Sequence, residues 1–142
     1  MILDTTYLLP LALIQIDTDL LRAIADKKAN LKLEEITVNM ISLFELQAKA
    51  AKLMVPAKFV VDAIKAISMA FKVESFNRPE IVETAYEVKK IIPDYIDCVI
   101  ISTAAVLKED LITEDSRILS KRERLKKEYG VNISSYKDLV TE

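Results

Sequence analysis

The sequence predicts an α/β fold class in which helices cover both faces of a parallel sheet, and three observations predict it. Short aliphatic or β-branched runs alternate with segments whose apolar residues recur at helical spacing. The 142 residues carry no repeat, low-complexity tract or Gly/Ser/Pro-rich linker, so one domain over residues 1–142 is expected. Four carboxylates, Asp4, Glu45, Asp97 and Asp115, each stand where an apolar run gives way to a polar or helical start. In open α/β sheets that boundary, at the carboxyl ends of the strands, is where ligands bind.

The elements follow in order. Ile2-Leu3 is a short strand candidate, followed by a segment containing Pro10 and a helix near Asp19 to Ala29, with Thr18 or Asp17 as N-cap. Ile36 to Ile41 is rich in β-branched residues and reads as a strand. Ser42-Leu43-Phe44-Glu45 has the spacing of a capping box opening a helix to about Lys52. Pro56 starts a second helix whose Phe59, Val60, Ala63, Ile64, Ile67, Ala70 and Phe71 share helical spacing. Lys72 to Phe76 is a further strand candidate. Pro79 then begins a helix to about Ile91 and Asp94 another to about Leu107. Leu111-Ile112-Thr113 reads as a strand, Asp115 to Glu128 as a charged helix stopped by Gly130, and Val131-Asn132-Ile133 as the last strand.

Composition removes whole classes of chemistry. There is no His, one Cys (Cys98), no Trp and one Gly. A Ser-His-Asp triad, a His- or Cys-rich zinc site and an internal disulfide are therefore excluded, as are Gly-rich phosphate loops. Cys98 lies in the apolar run Cys98-Val99-Ile100-Ile101 and reads as a small buried hydrophobe. With 20 basic and 22 acidic residues the net charge is -2, which provides no global field for a polyanion; nucleic acid would need a local basic patch or a bound cation. The N-terminus has no basic stretch before its interrupted apolar run, and no run is long enough for a bilayer, so a soluble cytoplasmic protein is expected.

Each acid has a local explanation. Glu45 is the third helical residue of the capping box, Asp94 caps the helix that holds Asp97, and Asp4 and Asp115 occupy strand-to-helix turns where Asp is favoured. Gathered on one sheet edge, however, carboxylates repel one another unless a cation neutralises them. An all-oxygen donor set suits Mg²⁺ or Mn²⁺, and such sites most often serve phosphoryl chemistry. Lys49, Lys52 and Arg117 are candidates for phosphate contact. The mixed-sign run Lys121 to Glu128 reads as a solvated face.

Four blocks of the chain together resemble the PIN domain, the nuclease fold of VapC-type toxins. These are Ile2-Leu3-Asp4-Thr5-Thr6, Ile41-Ser42-Leu43-Phe44-Glu45, Asp97 to Ala104, and Leu111-Ile112-Thr113-Glu114-Asp115. The third and fourth are the most specific, similar to a D-x-x-I-x-x-T-A helix and an L-L-T-x-D strand end. The resemblance implies a three-layer α/β/α sandwich with a parallel sheet of about five strands and a metal-dependent endoribonuclease that leaves 5′-phosphate and 3′-hydroxyl ends. It implies Asp4, Asp97 and Asp115 as metal ligands, Glu45 completing the ring directly or through water, and Thr113 hydrogen-bonding within the site. The cofactor would be Mg²⁺ or Mn²⁺ and the substrate single-stranded or structured RNA. Ser116 and Arg117 stand where many relatives carry a further Asp, which leaves one metal or two open.

The hairpin from Phe44 to Phe71 carries more apolar surface than one small core needs, and the resemblance makes it a candidate homodimer face, with a protein antitoxin as a further partner. Alternatives within the fold are a DNA-directed or structure-specific nuclease and a catalytically idle binding subunit. Two other folds fit less well. A haloacid-dehalogenase-like phosphatase needs a second Asp where Thr6 stands, and a response-regulator receiver needs one where Ser42 follows the second strand.

Overall fold

The computed structural model describes residues 1–141. Its five strands are all parallel, in spatial order β3-β2-β1-β4-β5: β1 Ile2–Leu3, β2 Thr37–Asn39, β3 Lys72–Glu74, β4 Leu111–Ile112 and β5 Ile133–Ser134. Helices α1 Leu20–Ala25, α2 Met40–Lys52, α3 Ala57–Ala70, α4 Pro79–Val88, α5 Tyr95–Leu107, α6 Ser116–Leu119, α7 Arg122–Tyr129 and α8 Tyr136–Leu139 complete it, with a 3-10 segment over Thr5–Ala12 and a shorter one over Leu33–Glu35.

The alternation of side chains along each strand creates two cores. Ile2 and Leu111 face one side with Ile81, Ala85 and Val88 of α4, Ile100, Ile101 and Ala104 of α5, and Leu125 of α7. Leu3 and Ile112 face the other with Tyr7 and Leu8 of the 3-10 segment, Leu46 of α2 and Ile67 of α3. Ile2, Leu3, Leu111 and Ile112 are all fully buried, as strands covered on both faces must be. This is the expected α/β/α sandwich.

Several boundaries moved, each for a local reason. The second strand stops at Asn39 because that side chain caps α2, its Oδ1 accepting the Ile41 N–H at 2.8 Å. Ser42 and Glu45 therefore lie inside the helix and form no capping box; a reciprocal box is instead made by Ser135 and Asp138 at the start of α8, a helix not anticipated from the sequence. Asp19, rather than Thr18 or Asp17, caps α1, which ends at Ala25 instead of Ala29. The charged helix expected over Asp115 to Glu128 is two helices, divided where the Ser120 hydroxyl donates to the Arg117 carbonyl at 2.8 Å. Three other expected segments are shorter or shifted: the strands at 72–76 and 131–133, and the helix reaching Ile91. Gly130 does end α7, at φ 71°, a left-handed conformation natural to glycine. Cys98 is buried and donates to the Ile92 carbonyl, and burial pushes its thiol up to about 11.

Candidate functional site

The register of the parallel strands decides what meets at their carboxyl edge. Leu3 pairs with Ile112, so the residues that follow them, Asp4 and Thr113, emerge side by side. Asp4 is buried, and its oxygens are separately held: Oδ1 accepts the Thr5 N–H at 2.7 Å, while Oδ2 accepts the Thr113 hydroxyl at 2.6 Å. Having spent its one proton on Asp4, Thr113 Oγ1 accepts the Asp115 N–H at 3.1 Å. One buried hydroxyl thus orients two of the four acids. Asp115 Oδ1 caps α6, accepting from the N–H groups of Arg117 (2.8 Å) and Ile118 (3.2 Å). Its cap role is real, and it leaves Oδ2 to the site.

Asp97 comes from the first turn of α5, whose N-cap is Asp94 as expected; Asp94 Oδ1 accepts from the backbone of Ile96 (2.9 Å) and Asp97 (3.4 Å). Helix α5 is tied to the second strand through Asn39, fully buried, whose Nδ2 donates to Thr103 Oγ1 at 2.8 Å while its Oδ1 caps α2. A single amide fixes the helix of Glu45 to the helix of Asp97. Thr103 in turn donates to the Val99 carbonyl at 2.7 Å.

These side chains line a polar cavity of about 260 Å³ whose walls are Asp4, Thr6, Glu45, Lys49, Asp94, Asp97, Glu114, Asp115 and Arg117. Six carboxylates face two cationic groups there. Asp97 is pushed up to about 7, first by burial and then by the charges of Asp4, Asp94, Asp115 and Glu45. Burial also raises Asp4 above the usual carboxylate range, opposed by its hydrogen bonds from Thr113 and Thr5; the charge of Glu45 adds to the rise and Lys49 opposes it. Arg117 Nη2 lies 3.6 Å from Asp115 Oδ2 and 3.8 Å from Asp97 Oδ2.

The chemistry of this donor set suits a hard divalent cation: it is all oxygen, has six carboxylates against two cationic groups, and contains an acid whose ionisation is opposed first by burial and then by its acidic neighbours. The acids are not drawn up as a finished cage. Among the described residues no group of three or more Asp, Glu, His or Cys stands close enough to hold a metal ion as placed.

The structure brings together Asp4, Glu45, Asp97, Asp115 and Thr113, and sets Lys49 and Arg117 on the same cavity; Lys52 is not among the lining residues. Sequence reasoning missed Thr6 as a wall residue, Asn39 as the tie between helices, and Glu114. The Glu114 carboxylate accepts from the Tyr7 hydroxyl and from the Tyr136 N–H at 2.7 Å. The only signal for Glu114 was its place between Thr113 and Asp115. Its tyrosine partner lies 107 residues away.

A family model described as the PIN domain matches residues 1–125. The chain belongs to the PIN domain family. PIN domains are generally nucleases, and the acidic cavity of this one lies within the matched residues. No curated protein matches the chain. Among solved structures it resembles a toxin-antitoxin complex from Klebsiella pneumoniae, with TM-score 0.59 and 18% identity over 81% of this chain and 86% of that one. VapBC2 from Rickettsia felis, bound to a DNA fragment from its promoter, gives 0.64 and 17% over 94% and 96%. FitAcB from Neisseria gonorrhoeae gives 0.66 and 17% over 97% and 99%. At such identities the likeness speaks for the fold.

Proposed function

We propose that this PIN domain is a divalent-metal-dependent endoribonuclease that hydrolyses phosphodiester bonds of single-stranded or structured RNA, acting as the toxin of a toxin-antitoxin pair in the cytoplasm. One observation carries the reading: six carboxylates, Asp4, Glu45, Asp94, Asp97, Glu114 and Asp115, line one cavity against only Lys49 and Arg117, a charge imbalance that a divalent cation would correct.

Asp4, Asp97 and Asp115 are the residues that would hold Mg²⁺ or Mn²⁺, with Glu45 completing the set directly or through water. When bound, such an ion supplies Lewis acidity toward a non-bridging phosphate oxygen and makes a water acidic enough to attack at neutral pH. The rest falls to the protein. Thr113 holds Asp4 in one orientation and ties it to the backbone of Asp115, so the positions of these two acids relative to each other are restrained. Lys49, at the cavity wall, offsets the charge of an incoming phosphate.

Support for the toxin reading comes from the structural neighbours, which are toxin-antitoxin proteins. Support for a homodimer or an antitoxin contact comes from the α2–α3 hairpin, where Phe44, Leu53, Met54 and Met69 remain well exposed, more apolar surface than a lone chain gains by showing. Among the described residues no helix is long and apolar enough to cross a membrane.

Protein freed of any bound inhibitor should cut single-stranded RNA with Mg²⁺ or Mn²⁺ and stop on chelation, and Asp4→Asn should abolish cutting while keeping the wild-type circular dichroism spectrum. Equal cleavage by the variant would trace the activity to a contaminant, and preferential cutting of DNA would move the substrate to DNA. The ion pairs of Arg117 with Asp97 and Asp115 favour one rival, a catalytically idle binding subunit whose acids are already neutralised. Absence of both metal binding and cleavage would support it.

A further inference from the structure

Arg117 stands where the resemblance leads one to expect another acid, and its position is unusual in detail. Asp115 divides its labour: Oδ1 caps α6, so Oδ2 is the oxygen left for a ligand, and that is the oxygen the guanidinium faces at 3.6 Å. The same Nη2 lies 3.8 Å from Asp97 Oδ2. Neither pair is at close hydrogen-bond distance. The Arg117 side chain is 60% exposed, so it is free to leave, and α6 is capped through the Arg117 backbone rather than through its side chain.

We propose that Arg117 is an internal competitor for the metal, a counter-cation that neutralises Asp97 and Asp115 in the free protein and must swing out before a divalent ion can use both oxygens. This rests on the nuclease reading given above, in which both carboxylates are ligands. A guanidinium and a divalent ion cannot both sit within about 4 Å of the same two oxygens without strong like-charge repulsion. Displacement leaves Arg117 at the cavity mouth with its charge unpaired, where a phosphate of a bound strand is the natural new partner for its planar fork. Metal and substrate then help each other bind, because the strand that takes Arg117 frees the carboxylates for the ion and, by linkage, the ion frees Arg117 for the strand.

The test is calorimetric titration of Mn²⁺ or Mg²⁺ into the wild-type chain, Arg117→Gln and Arg117→Lys, without substrate. Removing one unit charge a few ångströms from a divalent ion in a water-accessible site should tighten binding roughly three- to tenfold in Arg117→Gln, and Arg117→Lys, which keeps the charge, should stay near wild type. Affinity in Arg117→Gln equal to or weaker than wild type overturns the competitor while leaving the metal site intact. Absence of metal binding in all three proteins overturns the competitor and the nuclease reading together. Tightening in both variants alike would mean that shape rather than charge is responsible, and also overturns the proposal.

Discussion

Asp97 should weaken the protein that depends on it, and this can be measured without any enzymatic assay. Its carboxyl is lifted from an ordinary 3.8 to about 7 in the folded state, chiefly by burial. Between those two values the folded chain binds more protons than the unfolded one, so stability falls as pH rises from about 4 to about 7 and stays low above it. At about 1.4 kcal/mol per pKa unit the ionised group costs the folded state at most about 4–5 kcal/mol. Water at the cavity mouth and the Arg117 ion pair reduce the realised penalty to about 1–2 kcal/mol. Asp97→Asn keeps the shape and removes the charge, so at pH 8 in chelator it should melt about 3–8 °C above wild type for a chain of this size. The gap should close toward pH 3, below the unfolded value of 3.8, where Asp97 is protonated in both states. Millimolar Mg²⁺ should raise the wild-type melting temperature at pH 8 by mass action and leave the variant behind. Differential scanning calorimetry at the two pH values decides the matter. A variant that melts at or below wild type at pH 8, or a gap that persists undiminished at pH 3, would refute the argument from burial and charge crowding on which the site rests.

Two further outcomes follow from the same geometry. Thr113→Val removes the hydroxyl that donates to Asp4 and accepts from the Asp115 backbone; it should destabilise the fold by about 1–3 kcal/mol and weaken metal binding about tenfold, whereas Thr113→Ser should recover most of both, as read by denaturant melts and metal titration. Asn39→Asp keeps an oxygen to cap α2 but loses the amide donor to Thr103; a loss of about 1–3 kcal/mol with the α2 helical signal retained is expected, and a melt unchanged from wild type would show that the α2–α5 tie is idle.

Much of the fold was legible because its signals are local. The apolar runs, the Asp94 cap, the Pro56 and Pro79 starts and the Gly130 stop all act within a few residues, and the structure carries each of them. Where reading failed, two local signals competed. Ile36 to Ile41 has a strand's composition, but Asn39 stops the strand and opens a helix; Ser42 and Glu45 have a cap's spacing without a cap's position. Ser120 divides a charged segment whose composition reads as one helix.

Taken alone, the sequence determined which chemistry was available. A chain without His, with one Cys and one Gly, is left carboxylates, hydroxyls and cationic side chains, and the order of strands and helices puts acids at strand ends. Only the tertiary structure decided which atoms meet. The pairing of Leu3 with Ile112 sets Asp4 against Thr113 across 109 positions of sequence, Asn39 joins α2 to α5, and Arg117 lands on Asp97 and Asp115. Composition and capping depend on neighbours in the chain, whereas charge crowding depends on distance through space, and that distance is fixed by strand register and helix packing.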